Sequence, residues 1–430
     1  MRRIYFPDKD FQEIYSYRKQ EKELQNTMNT NTQRIVSVDL LRGLTMFLMI
    51  LANIGFAGAP FWMKHYYPYT ASGITYVDLI FPVFLFVVGI SIPLAFHRYG
   101  NNANEQAMLL RHIFARTFAL LAMGYFYVNT PNAELMGMTA AFWCVFYQIG
   151  FIFVWHTVIK PEPWALLTSR IVRSLGIIML LFYFFYYRNA AGHGILDVFH
   201  GVDINEFLQW WGILGIIGWA YLVGSIVYLL LRRQPDLLLF AAAMLIFWYI
   251  AGRHGLLNDV PVLARRHTII GSHPAITVMG TAVGAFLLNR PSGRSVFNWM
   301  TRYAIIAVLL AIFSNVLYGM NKNDSTPSWC FISAAVAVAL LMCFYGIADV
   351  KKLNFFPINS LVDLGGVALT AYVFHDLFKA ILRTCNLWDG FYSIGENTPI
   401  AGFFATLLAV IVISAAAILL KKKLKITLKI

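Results

Sequence analysis

Charged side chains and cysteines are both scarce in this chain of 430 residues. Only 13% of the residues are Asp, Glu, Lys or Arg, whereas a soluble domain carries about 25%. The four cysteines, Cys144, Cys330, Cys343 and Cys385, lie far apart, so we expect neither a disulfide framework nor a metal site. The chain also lacks a P-loop, a GxGxxG sequence, an HExxH sequence and a nucleophile elbow. These absences argue against the common classes of soluble enzyme.

Apolar residues are abundant instead, at 59% of the chain. About 20 consecutive apolar residues cross a bilayer as a helix. About twelve such stretches occur, at 42–59, 75–96, 111–130, 138–158, 168–187, 209–231, 237–252, 272–289, 302–320, 328–347, 362–384 and 399–420. The sequence therefore predicts an all-α fold, a polytopic membrane helix bundle.

The distribution of basic residues predicts the orientation of this bundle. With both termini in the cytoplasm, all but eight of the 34 Lys and Arg residues fall on the cytoplasmic side. The exceptions are Lys64, Arg188, Arg253, Arg265, Arg266, Lys322, Lys379 and Arg383. This is the positive-inside bias of an integral membrane protein. We expect the membrane to be a bacterial inner membrane. The net charge of +13 is thus explained by topology and contact with anionic lipid, and no nucleic-acid partner is expected.

We expect two parts along the chain. Residues 1–33 are polar and predict a cytoplasmic N-terminal tail, and residues 34–430 form one membrane domain. No internal repeat of the kind found in many transporters is visible. Two long outer segments, 188–208 and 253–271, carry charged residues that are expected to be simply solvated.

His65 is the leading candidate for chemistry. It follows Gly55, Gly58 and Pro60, which break the first helix at a membrane boundary. Imidazole exchanges protons near neutral pH without special tuning. Asp78 begins the second helix on the same side, so it could orient the His65 ring, although capping of that helix is an equally good use of Asp78.

Further polar residues lie on two apolar helices. Arg42 and Asn53 are eleven residues apart, which puts them on one helical face and about 16 Å apart along the axis. Arg42 alternatively extends to lipid phosphates. His375 and Asp376 are adjacent inside the eleventh stretch, where they need a cavity or partners. A purely structural role for His375 is the alternative.

The sequence resembles the heparan-α-glucosaminide N-acetyltransferase family over most of residues 34–430. The residues that carry the resemblance are Ser37-Val38-Asp39, Arg42-Gly43, Asn53, Lys64-His65, Asp78 through Phe86, Arg116, Trp211 through Gly218, Thr326 through Trp329, Ala348 through Lys351, and Ala368 through Asp376. The first block, up to Phe86, is the most specific, and the later ones are mostly apolar. A helical hairpin at 138–187 is expected to be an insertion relative to the animal enzyme.

The resemblance implies a transmembrane acetyltransferase. Acetyl-CoA would bind from the cytoplasm without a metal, and its acetyl group would reach an amino sugar or related glycan outside. The family's active histidine maps onto His65, and its asparagine maps onto Asn53. Arg42, Arg116 and Lys351 are candidates for binding the CoA phosphates. His375, Asp376 and Trp329 are candidates for substrate binding or support of the site.

Two alternatives to this interpretation remain at the level of sequence. An O-acetyltransferase of envelope glycans would use the same residues and give an ester. A sugar or metabolite transporter would also suit buried His and Asp residues, although no inverted repeat supports it. Such a chain requires the lipid bilayer as a partner, and it is compatible with a homodimer.

Overall fold

The computed structural model describes residues 35–430 except 69, 101, 131–134, 159–162, 190, 204–208, 210–211, 258–267, 290–292 and 354. The N-terminal tail 1–33 and parts of both long outer segments therefore lie outside the described residues. The helices are α1 Val36–Ile54, α2 Val77–Phe96, α3 Ala103–Val128, α4 Ala140–Trp155, α5 Pro163–Tyr186, α6 Ile213–Leu231, α7 Leu237–Arg253, α8 His273–Leu288, α9 Gly293–Tyr318, α10 Pro327–Phe344, α11 Phe356–Gly365, α12 Ala368–Thr384, α13 Trp388–Asn397 and α14 Pro399–Lys423.

The described part of the chain is an all-α membrane bundle, as predicted. Nine of its helical spans are long and apolar enough to cross a membrane, or ten if α11 and α12 count as one broken span. Two further apolar helices, α4 and α7, are shorter. Each of the twelve predicted stretches coincides with one of these elements. How many of them cross the bilayer stays a prediction, as does the cytoplasmic placement of the termini.

Short helical turns lie between the helices or at their ends. Phe61–Met63 and Ile195–His200 are 3₁₀-helices in loops, and Thr268–Ser272 and Tyr345–Val350 are π-helical turns that precede α8 and follow α10. The Asp349 carboxylate in the second π-turn accepts hydrogen bonds from the backbone N–H groups of Val36 (2.9 Å) and Ser37 (3.0 Å). It thereby satisfies donors that the first turn of α1 leaves without partners.

The centre of the bundle is the pair α2 and α8, which make the most extensive helix–helix contact. Their backbones approach so closely that only glycine fits at several positions. A Cβ on Gly89 would lie inside van der Waals contact of the Thr277 carbonyl, and one on Gly280 would meet the backbone of Phe86. Close approach through small residues is a typical way to pack helices in membranes.

We expect Gly280→Ala to destabilise the protein by about 1–3 kcal/mol, because the new methyl group forces α2 and α8 apart. Gly390→Ala in α13 is the matched control, since nothing lies within 4 Å of a Cβ there. That substitution should be neutral or slightly stabilising, because alanine favours helix over glycine. Thermal unfolding of both variants in detergent measures the difference. Equal midpoints would contradict the tight packing of α2 on α8.

The apolar stretch predicted at 362–384 is interrupted near its start. The chain forms α11 up to Gly365 and restarts as α12 at Ala368, and the two helices are bent by 87°. Gly365 packs against the Asp39 carbonyl of α1, where a Cβ would clash. Glycine is a poor helix former, so a break in the helix at Gly365 and Gly366 costs little free energy. The break lets α11 pack closely against α1 while α12, bent away from α11, also contacts α1.

A small β-sheet also forms that the sequence pattern did not indicate. Strands β1 (His156–Val158) and β2 (Ile426–Leu428) pair in antiparallel register, with Thr157 opposite Thr427. The sheet ties the end of α4 to the C-terminal residues. Its three-residue strands are too short for sequence periodicity to reveal.

Candidate functional site

The loop that bears His65 leaves α1 through two glycines with positive φ. Gly55 has φ +59° and Gly58 has φ +73°, a conformation that other residues adopt with strain. A Cβ on Gly58 would also meet the backbone of Gly395 in α13, so the loop is held against that helix. The imidazole of His65 emerges beyond this turn with its side chain 44% exposed.

The Asp78 carboxylate organises this loop. One oxygen lies 2.7 Å from Nδ1 of His65, and the other accepts hydrogen bonds from the backbone N–H groups of Tyr66 and Thr75, both at 3.0 Å. The Asp78 side chain is only 2% exposed. Since a carboxylate only accepts, Nδ1 carries the proton, and Nε2 of His65 keeps a lone pair. The predicted orienter thus contacts the ring, and it also links Tyr66 in the middle of the loop to Thr75 near its end.

Lys322, between α9 and α10, is the residue that sequence reasoning missed. Its Nζ lies 2.9 Å from Nδ1 and 3.3 Å from Nε2 of His65, and 3.7 Å from Oδ1 of Asp78. Burial lowers the pKa of Lys322, and the Asp78 carboxylate opposes that lowering. The only sequence signal was that Lys322 is one of eight basic residues outside the cytoplasmic segments.

Trp329 supports this group from within the bundle. It is fully buried, and its indole N–H donates to the backbone carbonyl of Asp78 at 3.0 Å. Its ring lies edge-on to His273 of α8, with centroids 5.9 Å apart. Trp329 therefore holds the start of α2, and its role in substrate binding or in support of the site stays a prediction.

Asn53 lies in a second polar cluster, on α1 and α12. Its amide donates from Nδ2 to Nε2 of His375 at 3.2 Å, and the Nδ1–H of His375 donates to the Tyr372 carbonyl. The Lys379 ammonium donates to the backbone carbonyl of Asn53 at 3.0 Å. The carboxylate of Asp376 lies 3.4 Å from Nε2 of His375. These contacts give the predicted pair His375–Asp376 its partners and hold the last turn of α1.

The two clusters are separate in their direct contacts. Within the part of the chain that the structure describes, no hydrogen bond or ion pair joins Asn53 to His65. The structure therefore brings together His65 and Asp78 on one side, and Asn53, His375 and Asp376 on the other.

The basic residues at the opposite end of α1 do not form one cluster. Arg42 donates to Asp39 at 2.8 Å and to the Ser91 hydroxyl of α2 at 2.7 Å. The Arg116 guanidinium lies 4.8 Å from the centroid of the Tyr221 ring, between α3 and α6. Lys351 is exposed and follows the π-turn that caps α1, so it lies near the end of the helix that carries Arg42.

The arrangement can carry out proton transfer. A partly exposed imidazole backed by a buried carboxylate can accept a proton at Nε2, because the carboxylate stabilises the imidazolium that forms. Among the residues that the structure describes, no group of three or more His, Cys, Asp or Glu side chains could hold a metal ion.

Comparison with known proteins agrees with the resemblance at the level of a family. A family described as "Domain of unknown function (DUF5009)" matches residues 34–193, a range that includes the hairpin α4–α5. The chain is 35% identical over 107 residues to a protein of Mus musculus named heparan-alpha-glucosaminide N-acetyltransferase, and 36% identical over 100 residues to the Homo sapiens protein of that name. These matches cover 25% and 23% of this chain but only 15% and 14% of the relatives.

Proposed function

We propose that this integral membrane protein is an acetyltransferase that moves the acetyl group of cytoplasmic acetyl-CoA to an amino sugar of the glucosamine type on the outer side. The observation that carries the proposal is the His65–Asp78 pair, in which Nε2 of an exposed imidazole is left with a lone pair. The name shared by the mouse and human relatives supplies the reaction class.

The chemistry requires a base and a hydrogen-bond donor. As the amine attacks the thioester, its nitrogen loses a proton and the acyl oxygen gains negative charge. His65 would take the proton at Nε2, or would itself carry the acetyl group briefly. Asp78 would hold the ring and stabilise its charged form. Asn53 would donate to the acyl oxygen with the amide N–H that His375 does not use.

The co-substrate would extend along α1. Arg42 and Asn53 lie on this helix about 16 Å apart, a length similar to an extended pantetheine arm. Arg42, Lys351 and Arg116 would bind the phosphates at the end that charge distribution predicts to be cytoplasmic. His375, Asp376 and Trp329 would hold the site in place from α12 and α10. The membrane would be a bacterial inner membrane, with a homodimer as an optional assembly.

The purified protein in lipid nanodiscs, given radiolabelled acetyl-CoA and glucosamine, is expected to form an N-acetylated product. An amide survives mild base, whereas an ester formed by an O-acetyltransferase does not. Absence of transfer to any amino sugar or glycan would refute the proposal. Uptake of labelled amino sugar into proteoliposomes without CoA would instead identify a transporter.

The same reaction without acceptor separates the two roles open to His65. Label bound to the protein and released by hydroxylamine would indicate an acetyl-histidine intermediate. No bound label under rapid quench, with transfer occurring once acceptor is added, would indicate that His65 acts as a base on a complex of all three components.

A further inference from the structure

The Lys322 ammonium lies over the face of the His65 ring. Its Nζ is almost equally distant from the two ring nitrogens, at 2.9 Å and 3.3 Å. A donor in the ring plane that pointed at one nitrogen would be much further from the other. The proton on Nδ1 is already directed at Asp78, so Lys322 does not compete for that position.

The contact between Lys322 and His65 lies where two loops meet. The loop that carries Lys322 is hydrogen-bonded to the loop after His65 at several points. The Met320 N–H donates to the Ser72 hydroxyl at 2.9 Å, and the Asn321 amide donates to the Ala71 carbonyl at 2.9 Å. The side chain of Lys322 is 25% exposed, so it is partly withdrawn from water.

We propose that Lys322 is a catalytic residue of the acetyl transfer, in which its ammonium donates a hydrogen bond to the acyl oxygen as negative charge develops there. This inference rests on the proposed function. An acyl carbon that reacts beside Nε2 of His65 would have its oxygen within reach of an ammonium 3.3 Å from that nitrogen. Asn53 is less well placed to act alone, since its amide is bonded to His375 in the other cluster.

In the base route, the step balances as follows. The amine lone pair forms the C–N bond, the carbonyl π electrons move to oxygen, and Lys322 donates to that oxyanion. His65 takes the ammonium proton at Nε2. The oxyanion then collapses, the C–S bond breaks, and the imidazolium returns its proton to the CoA thiolate. Partial burial strengthens the hydrogen bond that Lys322 donates, because water screens charge interactions less there. Asp78 balances the charge of Lys322 throughout.

Three variants test this assignment in the nanodisc assay. Lys322→Met is expected to lower kcat by about 10²–10³-fold with little change in the KM for acetyl-CoA, as for loss of one oxyanion donor. Lys322→Arg keeps a cationic donor and should retain more activity than Lys322→Met. Lys64→Met is the matched control, because this exposed lysine precedes His65 but makes no side-chain hydrogen bond or ion pair within the described residues. Its kcat should match the wild type.

A second readout separates a catalytic role from a structural one. A CoA dithioester replaces the acyl oxygen by sulfur, a weak hydrogen-bond acceptor. The wild type should lose much more rate on this change than Lys322→Met, which has already lost the donor.

Wild-type kcat in Lys322→Met, or the same ratio of rates with the oxygen and sulfur substrates in both proteins, would overturn the role of Lys322. Lys322→Leu, which also lacks the donor, provides this comparison if the methionine variant does not fold. Failure of the wild type to transfer acetyl groups would instead refute the proposed function.

Discussion

Replacing His65 by alanine is expected to lower acetyl transfer by about 10²–10⁴-fold, the range typical of losing a general acid–base group. The variant removes the acceptor of the amine proton in one route and the carrier of the acetyl group in the other. Folding should be preserved, because the imidazole is 44% exposed and Asp78 keeps its bonds from Tyr66 and Thr75. Initial rates with acetyl-CoA and glucosamine measure the effect.

The matched control for this variant is His200→Ala. His200 is also exposed on a predicted outer segment, at the end of the Ile195–His200 turn, and its removal should leave the rate unchanged. Wild-type activity in His65→Ala, at normal expression and with a normal unfolding midpoint, would show that the site has been assigned to the wrong residue. Equal losses in both variants would point to a general effect of the outer loops.

Replacing Asp78 by alanine is expected to destabilise the protein by about 3–5 kcal/mol, the usual cost of breaking a buried ion pair from one side. The side chain is 2% exposed. Its removal takes the carboxylate partner away from the Lys322 ammonium and from the N–H groups of Tyr66 and Thr75. Activity should fall with it, since His65 loses the partner that holds its ring. Thermal unfolding and initial rates together measure the two effects.

Asp78→Asn distinguishes these effects. Its amide oxygen can still accept from a backbone N–H, so the loss of stability should be smaller than in the alanine variant. Its neutral side chain cannot stabilise a charged imidazole, so the loss of activity should persist. Asp363→Ala is the control, because Asp363 pairs with Lys422 in a largely exposed ion pair worth less than about 1 kcal/mol. A midpoint for Asp78→Ala as high as that of Asp363→Ala would contradict the buried role of Asp78.

The positions of the helices were predictable because they depend on short stretches of sequence. Runs of apolar residues near 75–96 and 399–420 correspond closely to α2 and α14. The first helix begins earlier than the apolar run alone suggested, at Val36, because Asp349 caps it from a distant part of the chain. The break between α11 and α12 depends on the close packing of Gly365 against α1, which no local pattern contains.

The candidate site also contains contacts that the sequence could predict and contacts that it could not. Asp78 could be placed near His65 because only twelve residues separate them and both lie at one membrane boundary. The contact of the Asn53 amide with His375 could not be predicted in this way, because His375 lies 322 positions away in the chain. Its role as a donor to the acyl oxygen stays a proposal.

The sequence by itself determined that this protein is a membrane helix bundle, because backbone hydrogen bonds within each apolar run must be satisfied locally in lipid. It also identified His65 as an ionisable group beside a broken helix. The tertiary structure alone decided which charges surround that ring. Lys322 reaches His65 from 257 positions away because the loops after α1 and α9 are hydrogen-bonded to each other. Such contacts arise from packing between distant loops, so no spacing along the chain encodes them.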